Sequence, residues 1–198
     1  MIVAGLTGSI AMGKTETAKM FAARGIPVFD SDAAVHALYA PGGAAVEPLR
    51  QLVPDAISGG AVDRRKLAQL VQQDPSLLAR IEAVVHPLVK ERQIAFLTQA
   101  ARVSDMAVLD IPLLFETRRD RDVDVVIVVS ANADLQRERA LARPGMTAQK
   151  LDFILSRQVP DAEKRKRADF VIDTSSSLAV TAREVDKVIA AIRGKEKT

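Results

Sequence analysis

Cysteine and tryptophan are both absent from this sequence of 198 residues, and aromatic side chains make up only 4% of it. Without cysteine the chain has no disulfide bonds, no thiolate metal ligands and no cysteine nucleophile. So few aromatic rings argue against a stacking platform for single-stranded nucleic acid. No uninterrupted apolar run approaches the roughly 18 residues that a membrane-spanning helix needs, which argues against an integral membrane protein.

A large excess of charge of either sign is also lacking, because 28 basic and 25 acidic residues leave a formal net charge of +3. This mildly basic balance suits the binding of polyanionic small molecules. The apolar N-terminus has no basic segment, and Lys14 follows too soon for a signal peptide, so we expect a soluble, cytoplasmic protein. We expect no membrane or nucleic-acid partner; the oligomeric state is not readable from a sequence, and a monomer is assumed.

The order of apolar runs predicts an α/β fold. Strands are predicted at Ile2–Leu6, Ile26–Asp30, Met106–Asp110, Val123–Val129 and Phe170–Ile172. A helix is predicted at about residues 14–23, with Gly25 as its C-cap glycine, and a last helix at about residues 177–192. Strand, helix and strand in succession form a βαβ unit, which implies a parallel sheet with a right-handed crossover.

Two long segments between the strands predict helical insertions into one core. The core comprises about residues 1–32, 102–134 and 168–198. The first insertion, about residues 33–101, is helical in pattern except for a turn-rich stretch near residues 54–60, and it is too long for an ordinary crossover. The second insertion, about residues 135–167, is rich in arginine and lysine.

A phosphate-binding loop is predicted at Gly8–Thr15, which matches the pattern G-x-x-x-x-G-K-[ST] between a predicted strand and a predicted helix. Glycine permits the backbone turn that directs N–H groups at phosphate oxygens, and the helix N-terminus adds partial positive charge. Lys14 is expected to reach the β- and γ-phosphates, and the Thr15 hydroxyl is expected to ligate Mg²⁺. The chain is therefore predicted to bind ATP with Mg²⁺.

The rest of the sequence favours a small-molecule kinase over a signalling GTPase. The only asparagine, Asn132, is not followed by the lysine of an N-K-x-D guanine-recognition motif, and no D-x-x-G switch element is present. In a small-molecule kinase one insertion would hold the acceptor and the other would close over ATP.

Two carboxylates end the second predicted strand, in Asp30-Ser31-Asp32. Ligands of a doubly wound sheet bind beyond the C-terminal ends of its strands, and a kinase needs a carboxylate that accepts the proton of the acceptor hydroxyl. We assign that role to Asp32. The alternative is that Asp32 merely caps a helix that begins near Ala33.

Six segments spread along the chain match the pattern of one enzyme family: Leu6–Thr15, Val28–Asp32, His86–Leu88, Asp110–Glu116, Arg157–Gln158 and Ala168–Asp173. Over essentially its whole length the chain resembles the dephospho-coenzyme A kinase family. The resemblance implies a P-loop kinase fold with a five-stranded parallel sheet, a helical acceptor-binding domain and a lid. It also implies Mg²⁺-dependent transfer of the ATP γ-phosphate to the ribose 3′-hydroxyl of dephospho-CoA, in the last step of coenzyme A synthesis.

The resemblance also carries expectations for individual residues. The family's base falls on Asp32, and its H-P pair in the acceptor domain falls on His86. The lid arginine, which neutralises charge on the transferring phosphoryl group, best matches Arg139, with Arg143 next.

Asp110 ends a strand in the manner of a Walker B acid and is expected to hold Mg²⁺ through water. Glu116 is expected to face the acceptor. The basic run at residues 164–167 is expected to be surface.

The phosphate loop and the residue after it depart from the family pattern G-G-I-G-S-G-K-S-T at several places, among them residues 11, 12 and 16. Ala11 replaces a glycine, Met12 replaces a serine and Glu16 replaces a hydroxyl residue, yet every backbone N–H remains. Glu16 lies in the first helical turn, where a carboxylate is favoured, and is expected to point outward. The complete predicted ATP-binding set is Gly8, Ala11, Met12, Gly13, Lys14, Thr15, Glu16 and Arg143.

Two other functions stay open from the sequence. One is another small-molecule P-loop kinase, acting on a nucleoside monophosphate or a shikimate-like acceptor. The other is a nucleotide-binding module without catalytic activity, against which Asp32 beside an intact Lys14 argues. A panel of acceptors would separate the kinases, because the phosphate loop alone does not.

Overall fold

The computed structural model describes residues 1–195. The strands are β1 (Ile2–Thr7), β2 (Val28–Asp30), β3 (Ile57–Ser58), β4 (Ala61–Val62), β5 (Met106–Asp110), β6 (Val125–Ser130) and β7 (Phe170–Asp173). The α-helices are α1 (Lys14–Ala22), α2 (Ser31–Tyr39), α3 (Val46–Leu52), α4 (Arg64–Gln73), α5 (Ser76–Ala100), α6 (Ala133–Leu141), α7 (Ala148–Ser156), α8 (Asp161–Arg167) and α9 (Leu178–Lys195). Single 3-10 turns lie at Pro54–Ala56 and Arg119–Asp122.

A five-stranded sheet in the order β2-β5-β1-β6-β7 is the centre of the fold. Strand β1 pairs in parallel with β5 and β6, and β6 pairs in parallel with β7. All the residues of β5 and β6 are buried, as expected for strands covered on both faces. The predicted α/β fold with a five-stranded parallel sheet is confirmed.

Apolar side chains of the central strands and of two helices form the main core. Helix α1 contributes Phe21, and α9 contributes Val185, Val188, Ile189 and Ile192. These residues recur at three- and four-residue intervals along α9, so one face of that helix is apolar and packs on the sheet. The core places the C-terminal ends of β1, β5, β6 and β7 along one edge, where parallel strands bring ligand-binding residues together.

Contacts divide the chain into two compact units, one of Met1–Val28 with Val103 onward and one of Phe29–Arg102. In the second unit the 25-residue helix α5 packs against α2, α3 and α4. A ring contact between Phe29 and Phe96, with centroids 5.4 Å apart, adds to its packing. The acceptor-binding and lid roles of the predicted insertions stay predictions.

The structure corrects two local expectations. The helix after β2 begins at Ser31 rather than near Ala33, because the Asp30 side chain accepts a hydrogen bond from Ala33 N and acts as the N-cap. The turn-rich stretch near residues 54–60 contains a small antiparallel hairpin of β3 and β4. Its two-residue turn, Gly59 and Gly60, has positive φ at both positions, a signal for a hairpin that the sequence analysis missed.

None of the helices described within residues 1–195 combines the length and the apolar character that crossing a membrane requires.

Candidate active site

The phosphate loop connects β1 to α1, and each of its outer glycines has a structural reason. A Cβ added to Gly8 would lie 2.6 Å from the Val129 carbonyl oxygen, so a side chain at this position would clash with β6. Gly13 has φ of +87°, and a Cβ there would approach Thr174 to between 3.1 and 3.3 Å. Glycine therefore allows both the left-handed conformation and the close packing that this loop needs.

Three side chains from elsewhere in the first unit hold the loop backbone. Gln136 Nε2 donates to the Ile10 carbonyl oxygen at 2.9 Å, and Ile10 N donates to Gln158 Oε1 at 3.1 Å. Thr174 Oγ1 donates to the Met12 carbonyl oxygen at 2.8 Å. Neither Gln136 nor Thr174 belongs to a local motif, so neither is predicted as a site residue from the sequence.

Lys14 and Asp110 form an ion pair that joins the start of α1 to the end of β5. The two side chains are 17% and 7% exposed. A lysine held at the mouth of the loop is poised to meet phosphate oxygens, and a carboxylate at this strand end matches the Walker B position. The contact brings together two residues that the sequence analysis placed in one site.

The residues predicted to hold Mg²⁺ supply only oxygen donors. Thr15 is exposed in the first turn of α1, and Asp110 is buried at the end of β5. Within residues 1–195, no group of three or more histidine, aspartate or glutamate side chains could hold a metal ion by itself. Mg²⁺ typically takes one or two protein oxygens together with substrate phosphates, so this donor set fits Mg²⁺ bound with a nucleotide.

Of the two candidate lid arginines, Arg139 is linked to the phosphate loop by hydrogen bonds through Thr174. Its Nη1 and Nη2 atoms donate to Thr174 Oγ1 at 3.2 Å and to the Thr174 carbonyl oxygen at 2.9 Å. Arg143 is exposed beyond the end of α6. The guanidinium of Arg139 is therefore joined through Thr174 to the carbonyl of Met12, and the phosphate contacts of Arg139 and Arg143 stay predictions.

The substituted loop positions are accommodated locally. Ala11 adopts a left-handed conformation with φ of 63°, which is unfavourable for alanine, and its methyl group packs against Ala140 and Leu151. Glu16 is exposed and pairs with Lys19 one helical turn away, at 2.7 Å. The Glu16 carboxylate thus points outward, and only its backbone N–H is available for the predicted nucleotide contact.

The acceptor-side candidates Asp32 and His86 belong to the second unit. Asp32 is exposed in the first turn of α2, and because Asp30 caps that helix, the alternative that Asp32 is the cap is wrong. His86 is exposed on α5 directly before Pro87, which lies inside the helix. Both side chains are free of a helix-capping role, and their catalytic and substrate-binding roles stay predictions.

Glu116 and Lys164 form a buried ion pair that the sequence did not predict. Glu116 Oε1 lies 2.8 Å from Lys164 Nζ and accepts a hydrogen bond from Val159 N at 2.8 Å. Lys164 is fully buried, so the expectation that the whole basic run is surface is wrong at this position, although Arg165 and Lys166 are exposed. The expected contact of Glu116 with the acceptor stays a prediction.

Asp173 is the last residue of β7, at the edge of the sheet where the parallel strands end. Hydrogen bonds from the side chain and the N–H of Ser175 lower the pKa of Asp173, and the positive charge of Arg165 adds to the effect. The Asp173 carboxylate is thus kept ionised. It accepts a hydrogen bond from Ser175 N at 2.7 Å, and this bond closes the turn that follows β7. This turn presents Thr174 to the phosphate loop.

A phosphate loop after the central strand of a parallel sheet, with its lysine bound to an acid on the neighbouring strand, is typical of the P-loop kinase fold. The fold is also that of shikimate kinase from Acinetobacter baumannii, with a TM-score of 0.51 at 16% identity, covering 100% of this chain and 96% of that one. The dephospho-CoA kinase family model matches residues 1–179, and the chain belongs to that family.

Individual relatives agree with this assignment. A curated dephospho-CoA kinase from Mesorhizobium japonicum is 52% identical over 196 residues, covering 98% of each chain. One from Brucella melitensis biotype 1 is 51% identical over 196 residues, covering 98% of this chain and 97% of its own. The crystal structure of TT1252 from Thermus thermophilus aligns with a TM-score of 0.84 at 35% identity, covering 96% of this chain and 97% of that one.

Proposed function

We propose that the protein transfers the γ-phosphate of ATP to the ribose 3′-hydroxyl of dephospho-CoA, giving coenzyme A and ADP. The observation that carries this proposal is the intact phosphate loop, with Lys14 bound to Asp110, in a chain about half identical to curated dephospho-CoA kinases over nearly its full length. A cytoplasmic location is part of the proposal.

The phosphate loop performs the donor half of the reaction. Backbone N–H groups of residues 11–16 bind the phosphates of ATP, and the helix N-terminus of α1 favours their negative charge. Lys14 leaves Asp110 for the β- and γ-phosphates, and Arg139 neutralises the charge that spreads over the transferring group. Positioning and electrostatic stabilisation account for most of the rate enhancement in phosphoryl transfer.

The acceptor half requires a proton acceptor and a binding surface. The 3′-oxygen bonds to the γ-phosphorus as the bond from that phosphorus to the bridging oxygen of ADP breaks, and the hydroxyl proton passes to Asp32. His86 and Glu116 are proposed to contact dephospho-CoA, in line with the family motifs that they match. The helical segment of about residues 33–101 is proposed to bind the acceptor, and residues 135–167 to form the lid.

Thr15 and Asp110 would hold Mg²⁺ together with the nucleotide. Bound there, Mg²⁺ would supply positive charge that offsets the negative charge developing on the phosphates during transfer. The Asp110 carboxylate binds Lys14 in the structure, and it would become available to Mg²⁺ once Lys14 has moved to the phosphates.

The test is to incubate the protein with Mg-ATP and dephospho-CoA and to follow the acceptor by mass spectrometry. We expect a gain of one phosphate, placed on the ribose 3′-oxygen by fragmentation. Lys14→Ala is the matched control, and we expect it to lower turnover by about a thousandfold or more. Phosphorylation of shikimate or of a nucleoside monophosphate in preference to dephospho-CoA would contradict the proposal.

A further inference from the structure

Thr174 lies outside the sequence motifs, yet it contacts two parts of the proposed ATP-binding site, the phosphate loop and Arg139. The residue is 5% exposed and directly follows β7. Its backbone N donates to the Ser130 carbonyl oxygen at 2.8 Å, so the residue is fixed to the end of the neighbouring strand. From this anchored place its side chain reaches the phosphate loop in one direction and Arg139 in the other.

The hydroxyl group of Thr174 sets the orientation of one peptide in the phosphate loop. Its oxygen lies 2.8 Å from the Met12 carbonyl oxygen and 3.3 Å from that of Ser130, and the single hydroxyl proton favours the shorter contact. In a trans peptide the carbonyl and the N–H point in opposite directions. With the Met12 carbonyl turned to Thr174, the N–H of Gly13 is turned away from it.

The carbonyl on the other side of Gly13 is fixed as well. It accepts the first hydrogen bond of α1, from Thr17 N at 3.1 Å. Gly13 therefore lies between two anchored carbonyl groups, with φ of +87°, and its N–H belongs to the N-terminal donors that have no partner inside the helix. The direction of this donor depends on the Thr174 hydroxyl.

The same hydroxyl accepts a hydrogen bond from Arg139. The guanidinium contacts Thr174 through two nitrogens, one on the hydroxyl and one on the carbonyl oxygen, at 3.2 and 2.9 Å. Two contacts fix the plane of a guanidinium better than one, because its donors form a rigid fork. Thr174 thus orients a cation and an N–H donor, and both serve the same phosphates in the proposed reaction.

We propose that Thr174 is a positioning residue for phosphoryl transfer, which directs the Gly13 N–H at the nucleotide and holds the guanidinium of Arg139 beside the loop. The proposal rests on the proposed function, because the two groups have this use only in a kinase. Thr174 itself does not touch the reacting atoms.

The first test is Thr174→Val, which replaces the hydroxyl by a methyl group of similar size and leaves the backbone contacts in place. We expect kcat/KM for ATP to fall about 10- to 100-fold, because one neutral and one charge-assisted hydrogen bond are lost. Thr174→Ser restores the hydroxyl and is expected to recover most of the loss. KM for dephospho-CoA should change little in both variants.

A matched control removes a buried threonine hydroxyl elsewhere in the same unit. Thr181 in α9 is 2% exposed, and its hydroxyl contacts the Ser177 carbonyl oxygen. Thr181→Val should leave kcat and KM for ATP within about twofold of the wild type. A general loss of packing at a buried threonine would lower the activity of both valine variants, so the control separates positioning from stability.

A double-mutant cycle with Arg139→Ala tests whether Thr174 acts through the arginine. We expect Thr174→Val to lower kcat less in the Arg139→Ala background than in the wild type, by at least about threefold. The proposal is overturned if the Thr174→Val enzyme keeps wild-type kcat and KM for ATP, if serine restores nothing, or if the two changes are additive.

Two further measurements keep the proposal separate from questions of folding and of substrate. If Thr174→Val does not fold, Thr174→Ala takes its place, with thermal unfolding measured for each variant. ATP binding by calorimetry tests the Gly13 donor without an acceptor, and weaker binding by the variant is expected. A wild-type enzyme that binds ATP but does not phosphorylate dephospho-CoA would contradict the proposed function, and the calorimetric comparison would still decide the role of Thr174 in nucleotide binding.

Discussion

Lys164 Nζ lies 2.8 Å from Glu116 Oε1, and the lysine side chain is completely buried. The contact joins α8 to the loop after β5, at an oxygen that also accepts a hydrogen bond from Val159 N. A second contact between the same elements places the guanidinium of Arg167 over the Phe115 ring, 4.2 Å from its centroid. Lys164 and Arg167 of α8 therefore hold the loop after β5, which is part of the segment Asp110–Glu116 that matches the family.

We expect Lys164→Met to lower the free energy of unfolding by about 3–5 kcal/mol, because it leaves the Glu116 carboxylate without its counter-charge at a buried position. Adding Glu116→Gln should restore part of that loss. Chemical denaturation measures both. Lys166→Met is the control, since this lysine is 76% exposed and contacts Glu163 at 3.8 Å, and a change under about 0.5 kcal/mol is expected. Equal losses in the two lysine variants would show that burial of the pair has no effect.

For the proposed base, Asp32→Asn is expected to lower kcat by about 10²- to 10⁴-fold, because the amide cannot accept the hydroxyl proton. ATP binding, followed by calorimetry, should be nearly unchanged. Asp30→Asn is a close control, since asparagine caps a helix about as well as aspartate and α2 should persist. Full turnover by the Asp32→Asn enzyme would rule out this residue as the base.

The close approach of Gly8 to β6 predicts a strong effect of a single methyl group. Gly8→Ala would put a Cβ 2.6 Å from the Val129 carbonyl oxygen, and we expect a loss of about 1–3 kcal/mol in stability with weaker ATP binding. Gly194→Ala in α9 meets nothing within 4 Å and should be neutral or slightly stabilising. Thermal unfolding of both variants provides the comparison, and an unaffected Gly8→Ala protein would contradict the clash.

The stabilisation that Asp63 provides as the N-cap of α4 is predicted to depend on pH. Hydrogen bonds from Lys66 N and Arg65 N lower the pKa of Asp63 below its ordinary value of 3.8. Because folding favours the ionised carboxylate, its stabilisation is present above about pH 3.8 and is lost as the pH falls through the lowered pKa. Asp63→Asn keeps the cap without a charge. The stability of the wild type relative to this variant should therefore decrease between about pH 5 and pH 2. A constant difference would be inconsistent with the lowered pKa.

Local signals were sufficient for the architecture. Alternating runs of strand and helix residues predicted the α/β fold, and the glycine Gly25 after α1 was placed correctly, as its positive φ confirms. The bounds of β2 and α2 were less accurate. Asp30 and Asp32 both suit a helix N-terminus, and only the backbone geometry shows that Asp30 accepts the capping bond.

The residues themselves determined the phosphate loop, because its glycines, lysine and hydroxyl lie within eight consecutive positions. The roles of Gln136, Thr174 and Lys164 depend instead on partners far away in the chain: Thr174 is 162 residues from Met12 and Gln136 is 126 residues from Ile10. Burial of a lysine is likewise a property of the packing around it, not of its neighbours in sequence. Hydrogen bonding and solvation between distant segments exist only once the chain has folded, so tertiary structure alone shows which side chains hold the loop.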